Sequence, residues 1–236
     1  MKRLVFLCAC LTGFIVSVQM VDAGVLLKAS GVSGENVPIS FEAELTISGD
    51  TLTIVLTNTS PVDSLYKADV LGSFYFDIIN SNGDRPDLVY TSAFGDTYIG
   101  DKDGVDPLSQ LGEDLKALPG KQGWIFVEMD DMSVPFLGFG IGTVGNSNWA
   151  NDFPGMDGVE TGIYKGDVTA QSLDGYLLIK ETATFTFTGV DGFTEDDIVR
   201  DCAFGLGTAP DGYLTPEPAT LMLLGLGGLL LRKRRV

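Results

Sequence analysis

The chain has 236 residues, 44% hydrophobic and 20% charged, with 30 Gly, three Cys and no His. Its size and its 10% aromatic content predict one domain with a real core and exclude a disordered or collagenous chain. The missing His excludes Ser-His-Asp and Cys-His catalysis and His-ligated zinc, and a formal charge of -17 argues against a nucleic-acid binder.

The first element is a secretory signal. Lys2 and Arg3 precede an apolar stretch from Leu4 to Val18, and Val21-Asp22-Ala23 sets short side chains before the cut. This predicts a signal peptide over 1–23, removed after Ala23 by signal peptidase. The apolar run of about 15 residues falls short of the ~20 that span a bilayer, which argues against an uncleaved anchor. A lipoprotein cut near Leu7-Cys8-Ala9-Cys10 would leave only a stub of apolar core ahead of it.

Alternation with period two then dominates. In Phe41–Ser48 the odd positions are apolar and the even ones polar; in Thr51–Thr57 positions 52, 54 and 56 are apolar. With Gly49 and Asp50 between them, these runs predict a β-hairpin with one wet face. Further strands are predicted over 72–80, 88–93, 124–129, 136–141, 176–179, 182–188 and 199–206. Helical periodicity is confined to single turns over 108–118 and 195–198. Residues 143–175, rich in Gly, Asn and Asp, read as long loops on one rim. The expected fold is all-β: one antiparallel β-sandwich or jelly-roll-like ectodomain over 25–212.

Chemistry has few anchors in this segment. Asp101, Asp103 and Asp106 surround Gly104 in a short loop, the kind of oxygen-ligand set calcium takes, although Val105 and Gly112 break the EF-hand pattern. Asp152, Asp157 and Glu160, and Asp191 with Glu195, Asp196 and Asp197, are similar acidic groups; Asx turns explain them equally well. Thr alternates with apolar residues through Thr51–Thr59 and Thr182–Thr188, a pattern that could order water in an ice-binding face or simply follow β propensity. Trp124 and Trp149 could stack on sugar rings, Trp149 being better placed in its Asn-rich loop. No carboxylate pair is singled out as catalytic, so the domain is expected not to be an enzyme.

The C-terminus mirrors the N-terminus, with a sorting signal expected over 215–236. Pro216-Glu217-Pro218 holds an extended peptide, Ala219–Leu231 predicts an apolar membrane-entering helix of only about half a span, and Arg232, Lys233, Arg234 and Arg235 form a cytoplasmic stop-transfer end. Without residues 1–23 and 216–236, nine Lys/Arg and 30 Asp/Glu remain, a net charge of -21 over 24–215. Cys8 and Cys10 leave with the signal, so Cys202 stands alone in an apolar run and no intrachain disulfide is possible.

The residues from Pro216 to Arg235 closely resemble the PEP-CTERM tail of bacterial surface proteins; Thr215 stands where that family usually has Val. The resemblance implies an exosortase, a membrane cysteine transpeptidase, as processing partner, with cleavage near Pro-Glu-Pro after a transient stay in the membrane. It implies nothing about the chemistry of the cargo. The sequence thus points to an exported, exosortase-sorted surface or matrix protein with a non-catalytic adhesion or polysaccharide-contact role. The alternative is a secreted carbohydrate-active enzyme of glycoside-hydrolase type.

Overall fold

The computed structural model describes residues 24–99, 110–116, 123–129, 137–143, 161–167, 171–207 and 213–215. Twelve strands and three short 3-10 turns run through them.

The expected hairpin forms. β2 (Pro38–Ser48) and β3 (Thr51–Asn58) pair antiparallel from Phe41↔Asn58 to Ser48↔Thr51. Gly49 opens the turn at φ 59, a left-handed conformation that glycine adopts without strain. Phe41, Ala43, Leu45, Leu52, Ile54 and Leu56 are fully buried, as the alternation requires. On the far side of β2 lies β1 (Val25–Val32), a strand not singled out from the sequence, whose run of Val25, Leu26 and Leu27 blurs the alternation. Val25, Leu27 and Ala29 face the core, and Leu26, Lys28 and Ser30 face water.

β10 (Leu177–Thr188) absorbs the two strands predicted at 176–179 and 182–188. Glu181, at φ 60, marks the irregularity between them, where the register against β5 (Val89–Ile99) jumps from Ile179↔Thr97 to Ala183↔Gly95. One edge of β10 takes β3 and the other takes β5. β6 (Gln110–Asp114) replaces the helical turn predicted over 108–118. Gly112 disfavours helix, and the open edge of β5 offers backbone partners at Phe94↔Asp114 and Gly95↔Glu113.

A second group centres on β4 (Leu71–Phe76), which lies between β8 (Phe139–Gly142) and β11 (Ala203–Leu206). β7 (Ile125–Glu128) extends it beyond β8, and β12 (Tyr213–Leu214) beyond β11. The two groups are joined by β9 (Ile163–Tyr164), inside the stretch predicted as loop. Ile163 pairs parallel with Ile179 of β10 and antiparallel with Leu71 of β4. The hydrogen-bonded network is therefore mixed, which corrects the wholly antiparallel expectation.

Aromatic rings connect the groups across the core. Phe41 lies 6.0 Å from Phe204, Phe76 6.4 Å from Phe187, and Phe126 5.0 Å from Phe187. Each fully buried Phe contributes about 1.5–3 kcal/mol through area removed from water. Cys202 is buried and free, so this packing carries the stability that disulfides supply in many exported domains. Among the described residues no helix is long and apolar enough to cross a membrane. The predicted signal peptide and C-terminal helix lie outside those residues.

Candidate functional site

β12 is where the domain hands over to its tail. Tyr213 pairs with Gly205 and Leu214 with Phe204 at the edge of the second group. The Leu214 side chain packs on the main core and over the bare α-carbon of Gly31: a Cβ on Gly31 would stand 2.7 Å from Leu214 Cδ2. Thr215 is exposed, so a single residue separates Pro216 from the last anchored side chain. Gly24 sits at the opposite end of β1, roughly 23 Å away at about 3.3 Å per residue. The two termini of the folded segment therefore leave from opposite ends of one strand.

Most of the sequence-predicted site residues fall elsewhere. Ala23, Asp101, Asp103, Asp106, Trp149, Pro216, Glu217, Pro218, Arg232, Lys233, Arg234 and Arg235 lie outside the described residues, as do Asp152, Asp157 and Glu160. The acidic group at 191–197 is described, and the carboxylates of Glu195 and Asp197 serve the backbone. Glu195 Oε1 accepts the Ile47 N–H at 2.9 Å. Asp197 Oδ2 accepts the Thr194 N–H at 2.9 Å and its hydroxyl at 3.1 Å, capping the 3-10 turn Glu195–Asp197. Among the described residues no group of three or more His, Cys, Asp or Glu is placed to hold a metal.

Trp124 is a core residue. It is 1% exposed, its ring lies 4.8 Å from that of Phe185, and its indole Nε1–H donates to the Thr161 carbonyl at 2.7 Å. That burial corrects the expectation that it could stack on a sugar. Cys202 behaves as expected for a packed thiol: burial, with a smaller contribution from Asp201, pushes its pKa up to about 12.

One ion pair with a buried acid was not legible in the sequence. Asp77 is fully buried and holds Arg85 bidentately, accepting Nε–H at 2.8 Å on Oδ1 and Nη2–H at 2.7 Å on Oδ2. The pair raises the guanidinium pKa still further, chiefly through the hydrogen bond. Beside it a hollow of about 320 Å³ is lined by Arg85, Pro86, Asp87, Glu128, Met129, Gly138 and Phe139. An eight-residue spacing between Asp77 and Arg85 was visible, but 30 acids offered the nine cations of this segment too many partners.

The two Thr series come together. Register places Thr57 opposite Thr182, Thr53 opposite Thr186 and Thr51 opposite Thr188, and the hydroxyls of Thr57 and Thr182 are 3.4 Å apart. The hydroxyls share the outer face because the alternate residues Leu52, Ile54, Phe185 and Phe187 are all fully buried.

Residues 214–235 match the PEP-CTERM protein-sorting motif. No curated protein matches the chain, and no solved structure does. The match opens on Leu214, the last side chain held by the core, and then runs through the prolines, the apolar run and the basic end. By that motif the chain is an exported, surface-directed protein sorted by an exosortase, its cargo ending on the sheet edge at β12.

Proposed function

We propose that the segment 24–215 is a β-sandwich cargo domain, displayed on or released from the envelope, with a non-catalytic role in adhesion or polysaccharide contact. The observation that carries this is the direct join between fold and sorting motif: one exposed residue separates Leu214 from Pro216. The domain is therefore what the tail delivers. Ring contacts between the two strand groups favour the sandwich. Signal peptidase removes 1–23, and the apolar run at 219–231 holds the chain in the membrane, basic end inward, until the exosortase acts.

Glu195 and Asp197 are engaged by the backbone and Asp77 by Arg85, and the net charge of -21 keeps the cargo soluble and apart from anionic polymers. The test is incubation of the exported protein with neutral and anionic polysaccharides, measuring retention and reducing ends. Retention with the polymer intact is expected. Release of reducing sugar would contradict the non-catalytic role.

A further inference from the structure

We propose that the outer face of β3, β10 and β5 binds an uncharged polysaccharide chain, an inference that rests on the polysaccharide-contact role above. The three strands stand side by side, with one register shift at Thr91 of β5, between Ser92 and Tyr90. One row crosses Thr53, Thr186 and Ser92; the next crosses Val55, Thr184 and Phe94. A third crosses Thr51, Thr188 and Val89. Neighbouring strands are about 4.8 Å apart and same-face residues about 6.7 Å apart along a strand, so the first two rows are regularly spaced, and the bulge offsets the third at Val89.

Charge separates this grid from the rest of the domain. No Asp, Glu, Lys or Arg stands in the three rows, although the segment carries -21. Its borders are acidic: Glu44 of β2 pairs with Val55, and Asp114 of β6 pairs with Phe94. Lys116, at one end, is spent on the carbonyls of Tyr90 and Thr91. Phe94 is 48% exposed in the middle row, beside Thr184.

Those groups complement a sugar polymer. Each Thr offers a methyl to a C–H face and a hydroxyl to a sugar hydroxyl. The Phe94 ring provides a stacking plane, and the bordering carboxylates accept further hydroxyls. An anionic polymer meets those carboxylates and is repelled. A second copy laid on the same face would bring two acidic borders together under the full repulsion of two strongly negative bodies. An uncharged, hydroxyl-rich chain avoids both penalties.

The test uses the exported protein in affinity electrophoresis through gels containing dextran, hydroxyethyl cellulose or alginate, each mobility taken relative to a polymer-free gel. Retardation by at least one neutral polymer and none by alginate is expected. Phe94→Ala and Thr184→Lys should each weaken it about tenfold. Phe94→Tyr, and Asn82→Lys in an exposed turn elsewhere, should leave it unchanged. Thermal midpoints report that each variant is folded. Full retardation in both face variants would overturn this site and leave the polysaccharide-contact role standing. No retardation by either neutral polymer would overturn both. Dimerisation that Phe94→Ala abolishes would assign the face to a second copy and overturn the inference.

Discussion

Leu214 of β12 lies directly over Gly31 of β1, with its Cδ2 occupying the space a side chain on Gly31 would need. β12 has only two ladder pairs, and this contact is a further anchor for it. The sorting motif begins on this same residue, and Thr215 beyond it is exposed.

Gly31→Leu should push Leu214 out and fray β12. Overpacking of this kind costs about 1–3 kcal/mol. A lower urea midpoint and faster protease cleavage near 213 are expected. An unchanged cleavage pattern would show that Leu214 does not close this edge.

Trp124→Phe keeps a ring against Phe185 but loses the bond to the Thr161 carbonyl. Thr161 is itself held at φ 61, a conformation that non-glycine residues rarely adopt. A loss of about 2–4 kcal/mol in denaturant unfolding is expected from the hydrogen bond and the reduced ring area together. A loss well under 1 kcal/mol would mean that the indole N–H is not structurally important.

Asp77 and Arg85 should respond unequally to truncation. Removing Asp77 as Asp77→Asn lets the half-exposed guanidinium rehydrate, at a cost of about 1–3 kcal/mol. Arg85→Ala instead strands a fully buried carboxylate and should cost more, about 3–5 kcal/mol. Equal losses in the two unfolding curves would contradict the burial of Asp77.

Alkaline pH should destabilise the fold. The Cys202 thiol titrates near 9 in the unfolded chain and at about 12 in the folded one. The folded state therefore keeps its proton longer. Stability is complete below pH 9 and declines between pH 9 and about 12, at up to about 1.4 kcal/mol per unit for this group. Burial raises the Tyr90 and Tyr164 hydroxyls as well, with the same sign. At pH 8 a thiol reagent should label Cys202 only in denaturant; labelling at equal rates in the native protein would contradict its burial.

The β2–β3 hairpin was legible because alternation and a Gly turn are local signals, and burial follows them residue by residue. β6 was not, because its strand character comes from the open edge of β5 rather than from its own five residues. β9 escaped for the same reason: two residues carry no period, and only their position between Ile179 and Leu71 makes them a strand. The Thr series were visible one strand at a time, but their joining into one uncharged face required the register between β3, β10 and β5. Trp124 opens a predicted strand, but only long-range packing assigns its ring to the core. The tail was the most legible element, since its order of motif, apolar run and basic end acts as linear sequence.

The most direct measurement is the mature mass and location of the protein in an exosortase-bearing host, with and without residues 216–236. The intact chain should be recovered at the surface or in the medium, shortened near Pro216-Glu217-Pro218 and free of its basic end. The truncated chain should lose both processing and surface delivery. Identical delivery of the two, or an intact chain that keeps its basic end at the surface, would contradict exosortase sorting.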